Sequence, residues 1–218
     1  MVRRTKEEAE QTRRDIIEAA RRVFHEHGVV RSSLEKIAKA AGVTRGAVYW
    51  HFRNKAELFF AMRDDAFAPM IGFTDAILVD PAWDNPLDAI EASTKAFIRA
   101  LNDTAKFREV FEIMIIRCEY VDEFATIEEE VARPALEFFK KLEAVYQRAQ
   151  DGKYLRRGIS PLAAARDTWA FTSGLLHLFL GSSRGANISL AMAEEMITAH
   201  IAMLRCCADD PGCRLRPL

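Results

Sequence analysis

Apolar residues recur at helical spacing along nearly the whole chain, and nowhere do they alternate as a half-buried strand requires. Ile16, Ile17, Ala20, Val23 and Phe24 make the stripe of a first helix over residues 5–27, which Gly28 stops. Leu34, Ile37, Ala38 and Ala41 fall at i, i+3, i+4 and i+7, one face of a short second helix. Gly42 can take the left-handed conformation that ends such a helix, and Thr44 can cap the next one with its hydroxyl, so Gly42-Val43-Thr44 reads as a tight turn. In the third helix Val48 and Phe52 face the second, which leaves Gly46, Tyr49, Trp50 and Arg53 outside. A longer helix starts at Lys55 with Leu58, Phe59, Met62, Ala66 and Met70 on one side, and Pro69 within it predicts a kink or break near Ala68.

Beyond the Pro- and Asp-rich loop at residues 80–86, every segment is helical in period: 87–102, 106–118, 124–150, 161–180 and 190–206. The pattern predicts an all-α chain of about nine helices in two domains, residues 1–54 and 55–218. Its 218 residues, half of them hydrophobic, suffice for a sizeable core. The longest nearly apolar run, residues 169–180, is interrupted by Thr172, Ser173 and His177 and falls short of the roughly 20 residues that cross a bilayer. Together with the charged opening residues, this predicts a soluble cytoplasmic protein without a leader or membrane anchor.

A net charge of -1 hides an asymmetry: residues 1–63 carry 14 Lys and Arg against 8 Asp and Glu, while the remainder is acidic. The basic part coincides with the three short helices, and it includes Arg3-Arg4-Thr5-Lys6, readable as a mobile arm along a DNA backbone or as an ordinary solvated terminus. On the third helix, two outward aromatics with a glycine suit close approach to a duplex. Tyr49 can bond a phosphate and Arg45 can pair with a guanine edge in the major groove. Either Ser32 or Ser33 can cap the second helix, with Ser32 and Glu35 spaced as a capping box, while the other donates to a phosphate; Lys55 at a helix start suits a phosphate as well.

The run VTRGAVYWHFRNKAELF resembles the helix-turn-helix of the TetR/AcrR family, and RRTKEEAEQTRRDIIEAARRVFHEHG resembles the branch that represses multidrug efflux pumps. The resemblance implies a three-helix DNA-binding domain followed by a helical domain for ligand binding and dimerisation. The residues expected at the duplex are Ser32, Ser33, Thr44, Arg45, Gly46, Tyr49, Trp50, His51 and Lys55. The expected partners are double-stranded operator DNA, a small hydrophobic drug-like ligand and a second copy of the chain.

The middle helices hold many large apolar side chains, among them Phe107, Phe111, Met114, Ile115, Phe138, Phe139 and Leu142. Composition alone favours a plain core. The resemblance of Arg117-Cys118-Glu119-Tyr120 to the Lys-Cys-Glu-Phe stretch of the efflux regulators favours a drug pocket instead, with Phe111, Met114, Ile115, Cys118, Phe139 and Ser173 as its lining. Ile115 and Ser173 stand where relatives carry a histidine and a polar or acidic residue, which predicts a less polar pocket. The last two helices resemble half of an intermolecular four-helix bundle, with Trp169, Leu176, Phe179, Ile197, Ile201 and Leu204 expected at the dimer interface; an intramolecular core is the other reading.

Catalytic and metal chemistry find little support. His177 and His200 sit alone on apolar helices, where a hydrogen-bonded structural histidine is the simpler reading, and no histidine pair has the i, i+4 spacing of a helical metal site. Cys118, Cys206, Cys207 and Cys213 lack metal-ligand spacing and read as reduced thiols, with redox sensing by the last three as the alternative. No cofactor is expected. The competing functions are a ligand-independent DNA-binding regulator and a small-molecule-binding helical protein without operator specificity.

Overall fold

A computed structural model describes residues 6–119, 128–181 and 188–206. Among them nine α-helices follow one another: α1 Lys6–His27, α2 Leu34–Ala41, α3 Arg45–His51, α4 Lys55–Val79, α5 Pro86–Asp103, α6 Ala105–Glu112, α7 Glu128–Asp151, α8 Pro161–Leu180 and α9 Leu190–Leu204. A π-helical segment, Ile113–Arg117, continues α6 to a cap at Cys118. Regular α-helix was expected through residue 118, and apolar periodicity carries no mark of the wider turn. The described residues contain one isolated β-bridge, between Leu155 and Arg205. The basic arm before Lys6, Tyr120, Cys207 and Cys213 lie outside the described residues.

The chain forms two compact units. One comprises Met1–Ala68 and Ala105–Val131, the other Pro69–Thr104 and Ala132–Leu218. These differ from a single division after residue 54, because the first part of α4 buries Leu58, Phe59 and Met62 in the first unit's core. Phe24 of α1 and Phe59 are both fully buried, their ring centroids 6.3 Å apart. Phe67 stacks on Phe111 and meets Phe107 edge-on, so this aromatic trio joins α4 to α6 within the same unit. An ion pair of Arg21 with Glu109 and a hydrogen bond between His25 Nε2 and the Glu112 carboxylate at 2.9 Å fasten α1 to α6.

Pro69 does not break α4, which is continuous from Lys55 to Val79. A proline there removes one i to i−4 hydrogen bond and costs about 3 kcal/mol. Phe67 on one side of it and Leu78 on the other are both buried, and their packing offsets that loss. The unit division nonetheless falls at Ala68 and Pro69.

The second unit is built around Leu78, Leu87, Ile90, Leu142, Val145, Tyr146, Ala165, Ile201 and Leu204. Asn85 and Ser160 cap α5 and α8, each followed by proline in the first turn, where its missing N–H costs nothing. A buried polar chain crosses this core: the Thr168 hydroxyl lies 2.6 Å from the Tyr146 hydroxyl and 2.9 Å from His200 Nε2. The His200 ring stacks on Phe171 at 4.2 Å. Burial pushes the His200 pKa below its ordinary value, against the opposing field of Asp167.

A base with a depressed folded pKa binds a proton more weakly in the native state than in the unfolded chain, where its ordinary value is near 6.5. His200 therefore contributes stability above that pH, and the contribution is lost on acidification. Urea midpoints at pH about 7.5 and about 5.5 are expected to differ less in His200→Gln than in the parent. Equal differences would remove His200 from this role.

Candidate functional site

The reading head is assembled by local capping. Ser33 caps α2, its Oγ accepting from the Lys36 N–H at 3.2 Å. Gly42 ends that helix at φ +69°, a conformation that costs glycine little, and its N–H reaches back to carbonyls of α2. Thr44 caps α3 by accepting from the Ala47 N–H at 3.1 Å. Val48 and Phe52 are buried as the periodicity predicts. Arg13 of α1 lies over the Phe52 ring, 5.3 Å from its centroid.

That burial fixes what remains outside. Thr44, Arg45, Gly46, Tyr49, Trp50 and Arg53 are exposed, and His51 is half-buried, edge-on to Trp50 at 4.5 Å. Trp50 is 73% exposed. So much aromatic surface on a short helix is unusual without a partner. The Arg45 guanidinium is 5.2 Å from the Tyr49 ring centroid, donates to the Tyr49 hydroxyl at 3.4 Å and pairs with Glu35 of α2 at 3.1 Å. A cleft of roughly 340 Å³ opens beside it, bounded by Ser33, Glu35, Tyr49, Arg53, Asn54 and Lys55.

Two expected contacts are placed differently. Ser32 is buried, and its hydroxyl donates to the Gly28 carbonyl at 2.6 Å, so Ser33 is the serine on the surface. With Ser33 as cap, the capping-box position falls on Lys36, and the Ser32–Glu35 box does not form. The Lys55 side chain is also buried: its ammonium donates to the carbonyls of Val30 and Ser32 at 3.2 and 3.1 Å, strapping the α1–α2 loop to the start of α4. Sequence reasoning missed the cap of α4, where Asn54 Oδ1 accepts from the Glu57 N–H at 2.8 Å and the Glu57 carboxylate from the Arg53 N–H. The Asn-x-x-Glu spacing at residues 54–57 was its legible sign.

The expected pocket residues divide between the units. Phe111, Met114, Ile115 and Cys118 belong to the first and are half-buried; Phe139 and Ser173 belong to the second. Phe139 meets the Trp169 ring edge-on at 6.1 Å, and the Ser173 carbonyl lies 2.8 Å from His177 Nδ1. Phe107 and Leu142, from the same apolar stock, are plain core. The backbone carbonyl of Arg117, last residue of the π-helical segment, accepts from the Val29 N–H at 3.2 Å. That bond ties the segment carrying Met114 and Ile115 to the loop preceding α2.

Most of the residues expected at the dimer interface are buried within the single chain. Leu176, Phe179, Ile197, Ile201 and Leu204 are all less than 9% exposed, and Trp169 is half-buried against Phe138 and Phe139. Both faces of α8 are apolar, so its sequence could not say which face points inward. The exposed apolar surface of these helices includes Ala170, Gly174 and Leu178 on α8 and Met192, Ala199 and Met203 on α9. Cys118 is half-buried and Cys206 is buried.

An outward, basic and aromatic recognition helix on a capped helix-turn-helix, with a second all-helical unit behind it in sequence, defines a DNA-binding transcription regulator. Family models agree. "Bacterial regulatory proteins, tetR family" matches residues 16–62, and "MAATS-type transcriptional repressor, C-terminal region" matches residues 85–206. The chain belongs to the TetR family. It is 33% identical over 208 residues to the transcriptional regulator TtgR of Pseudomonas putida, covering 94% of this chain and 97% of that one. Among solved structures, NalD, the secondary repressor of the MexAB-OprM multidrug efflux pump in Pseudomonas aeruginosa, superposes with a TM-score of 0.81 at 32% identity, covering 92% and 98% of the two chains. SmeT, repressor of the Stenotrophomonas maltophilia efflux pump SmeDEF, gives 0.71 at 30% identity over 94% and 96%. A SmeT–triclosan complex matches with the same TM-score and identity over 95% and 99%.

Proposed function

We propose that the chain is a homodimeric repressor of a multidrug efflux operon, released from its operator by a bulky hydrophobic ligand. The exposed Arg45, Tyr49 and Trp50 face of α3 carries this reading. Arg45 reads a guanine edge, while Tyr49, Ser33, Thr44 and Arg53 hold the phosphates that set its register. Trp50 and His51 widen the contact, and the missing side chain at Gly46 admits the backbone. Lys55 acts from beneath by holding the loop that positions Ser33.

Release is a linkage effect: a ligand lowers DNA affinity by the difference in its own affinity for the two states. Phe111, Met114 and Ile115 offer an apolar face to such a ligand. Because the Arg117 carbonyl bonds Val29, a rearranged π-helical segment acts directly on the loop before α2. The relatives that repress efflux pumps, and the triclosan complex of one, support a drug-like ligand. The region upstream of the chain's own gene, fused to a reporter, is expected to be silenced by the protein and restored by bulky hydrophobic drugs. Silencing that no drug lifts would favour the ligand-independent regulator.

Dimerisation through Ala170, Gly174 and Leu178 of α8 with Met192, Ala199 and Met203 of α9 leaves each protomer's core intact. It also supplies two reading heads for half-sites about 34 Å apart. Leu178→Arg is expected to give folded monomers in sedimentation. Leu176→Arg, at a buried position, is expected to unfold the second unit. A dimeric Leu178→Arg protein would move the interface elsewhere.

A further inference from the structure

The reading head contains an acidic residue at the spot where it should welcome phosphate. Glu35 lies in the first turn of α2, on the rim of the cleft shared with Ser33, Tyr49 and Arg53. Its own backbone N–H, the neighbouring Ser33 side chain and the Arg45 charge hold its pKa below the usual carboxylate range. The Arg45 guanidinium lies 3.1 Å from Glu35 Oε1, with its other arm on the Tyr49 hydroxyl. A helix N-terminal N–H, a serine hydroxyl and a guanidinium are the donor set that a DNA phosphate takes. Here a carboxylate of the chain itself takes the guanidinium.

We propose that Glu35 is an internal phosphate mimic that sets the selectivity of the reading head, restraining Arg45 until a guanine edge replaces it. This rests on α3 being the DNA reader, as proposed above. The reason is one of unequal competition. An exposed ion pair is weak and salt-screened, so a bidentate contact to guanine O6 and N7 displaces it readily. A loose phosphate contact is itself screened, offers Arg45 no better geometry and brings its own charge toward Glu35. Glu35 therefore weakens binding to random sequence more than binding to the operator. It is a positioning residue, acting through Arg45.

The test measures fluorescence anisotropy with two duplexes, the DNA immediately upstream of the chain's own gene and a scrambled version. The proteins are the parent, Glu35→Gln, Arg45→Ala and the double variant. Glu35→Gln is expected to tighten the scrambled duplex about threefold to tenfold and the upstream duplex by less than about twofold, lowering selectivity. In the Arg45→Ala background the same change is expected to shift both duplexes equally, a result that a merely structural role for Glu35 would not give. Equal tightening of both duplexes in the Arg45-containing protein would mean a plain charge effect and overturn the proposal, as would no change in either. A parent that fails to distinguish the duplexes would overturn the DNA-reader assignment and, with it, this one.

Discussion

Phe24→Ala is expected to destabilise the first unit by about 3 to 5 kcal/mol, the range for removing a fully buried phenyl ring. Phe24 has no exposed surface, and its ring sits 6.3 Å from that of Phe59, also fully buried. The cavity would lie where α1 meets α4, beneath the helices that carry the reading head. For a chain of this size such a loss lowers the thermal midpoint by on the order of 10 °C. Thermal unfolding followed by circular dichroism checks it, with Phe73→Ala as the control, since Phe73 is 56% exposed. DNA affinity is expected to fall only as the folded fraction falls. A Phe24→Ala protein of parental stability would mean that this contact is not the keystone of the unit.

Arg45→Ala should leave stability unchanged, because the side chain is exposed and its partners Glu35 and Tyr49 are themselves on the surface. Its effect falls on DNA. Loss of a bidentate guanine contact is expected to weaken the upstream duplex about tenfold to a hundredfold and the scrambled duplex far less, so selectivity collapses. Lys55→Ala makes an informative contrast. Its ammonium is committed to the carbonyls of Val30 and Ser32, so removing it leaves those acceptors without this donor and loosens the loop before α2. That variant should lose affinity for both duplexes together with stability. Equal losses for both duplexes with Arg45→Ala would make Arg45 a phosphate contact rather than a base reader.

What could be read from sequence was what local chemistry decides. The turn at Gly42 to Thr44 follows from one glycine conformation and one hydroxyl cap, and the inward Val48 and Phe52 leave Arg45, Tyr49 and Trp50 outside by geometry alone. Three things depend on long-range packing and could not be read. Ser32 and Ser33 are chemically equivalent in the sequence, and only the Gly28 carbonyl beside one of them decides which is buried. Lys55 stands at a helix start, as a phosphate ligand would, but the α1–α2 loop comes close enough to claim its ammonium. On α8 and α9 the large residues assigned to a partner are buried within the single chain, Trp169 only half so, while small and methionine residues lie on the exposed face. The apolar run on α8 could not separate these two cases, because both faces are hydrophobic. The π-helical turn at Ile113–Arg117 left no trace in the periodicity either.

The most direct test of the central claim is binding of the purified protein to the DNA upstream of its own gene, by fluorescence anisotropy at physiological salt. A scrambled duplex serves as reference, and each titration is repeated with a panel of bulky hydrophobic drugs. A ligand-released repressor predicts tight binding that is selective for the upstream duplex and weakened by at least one drug. Binding that ignores sequence would contradict the account at its root.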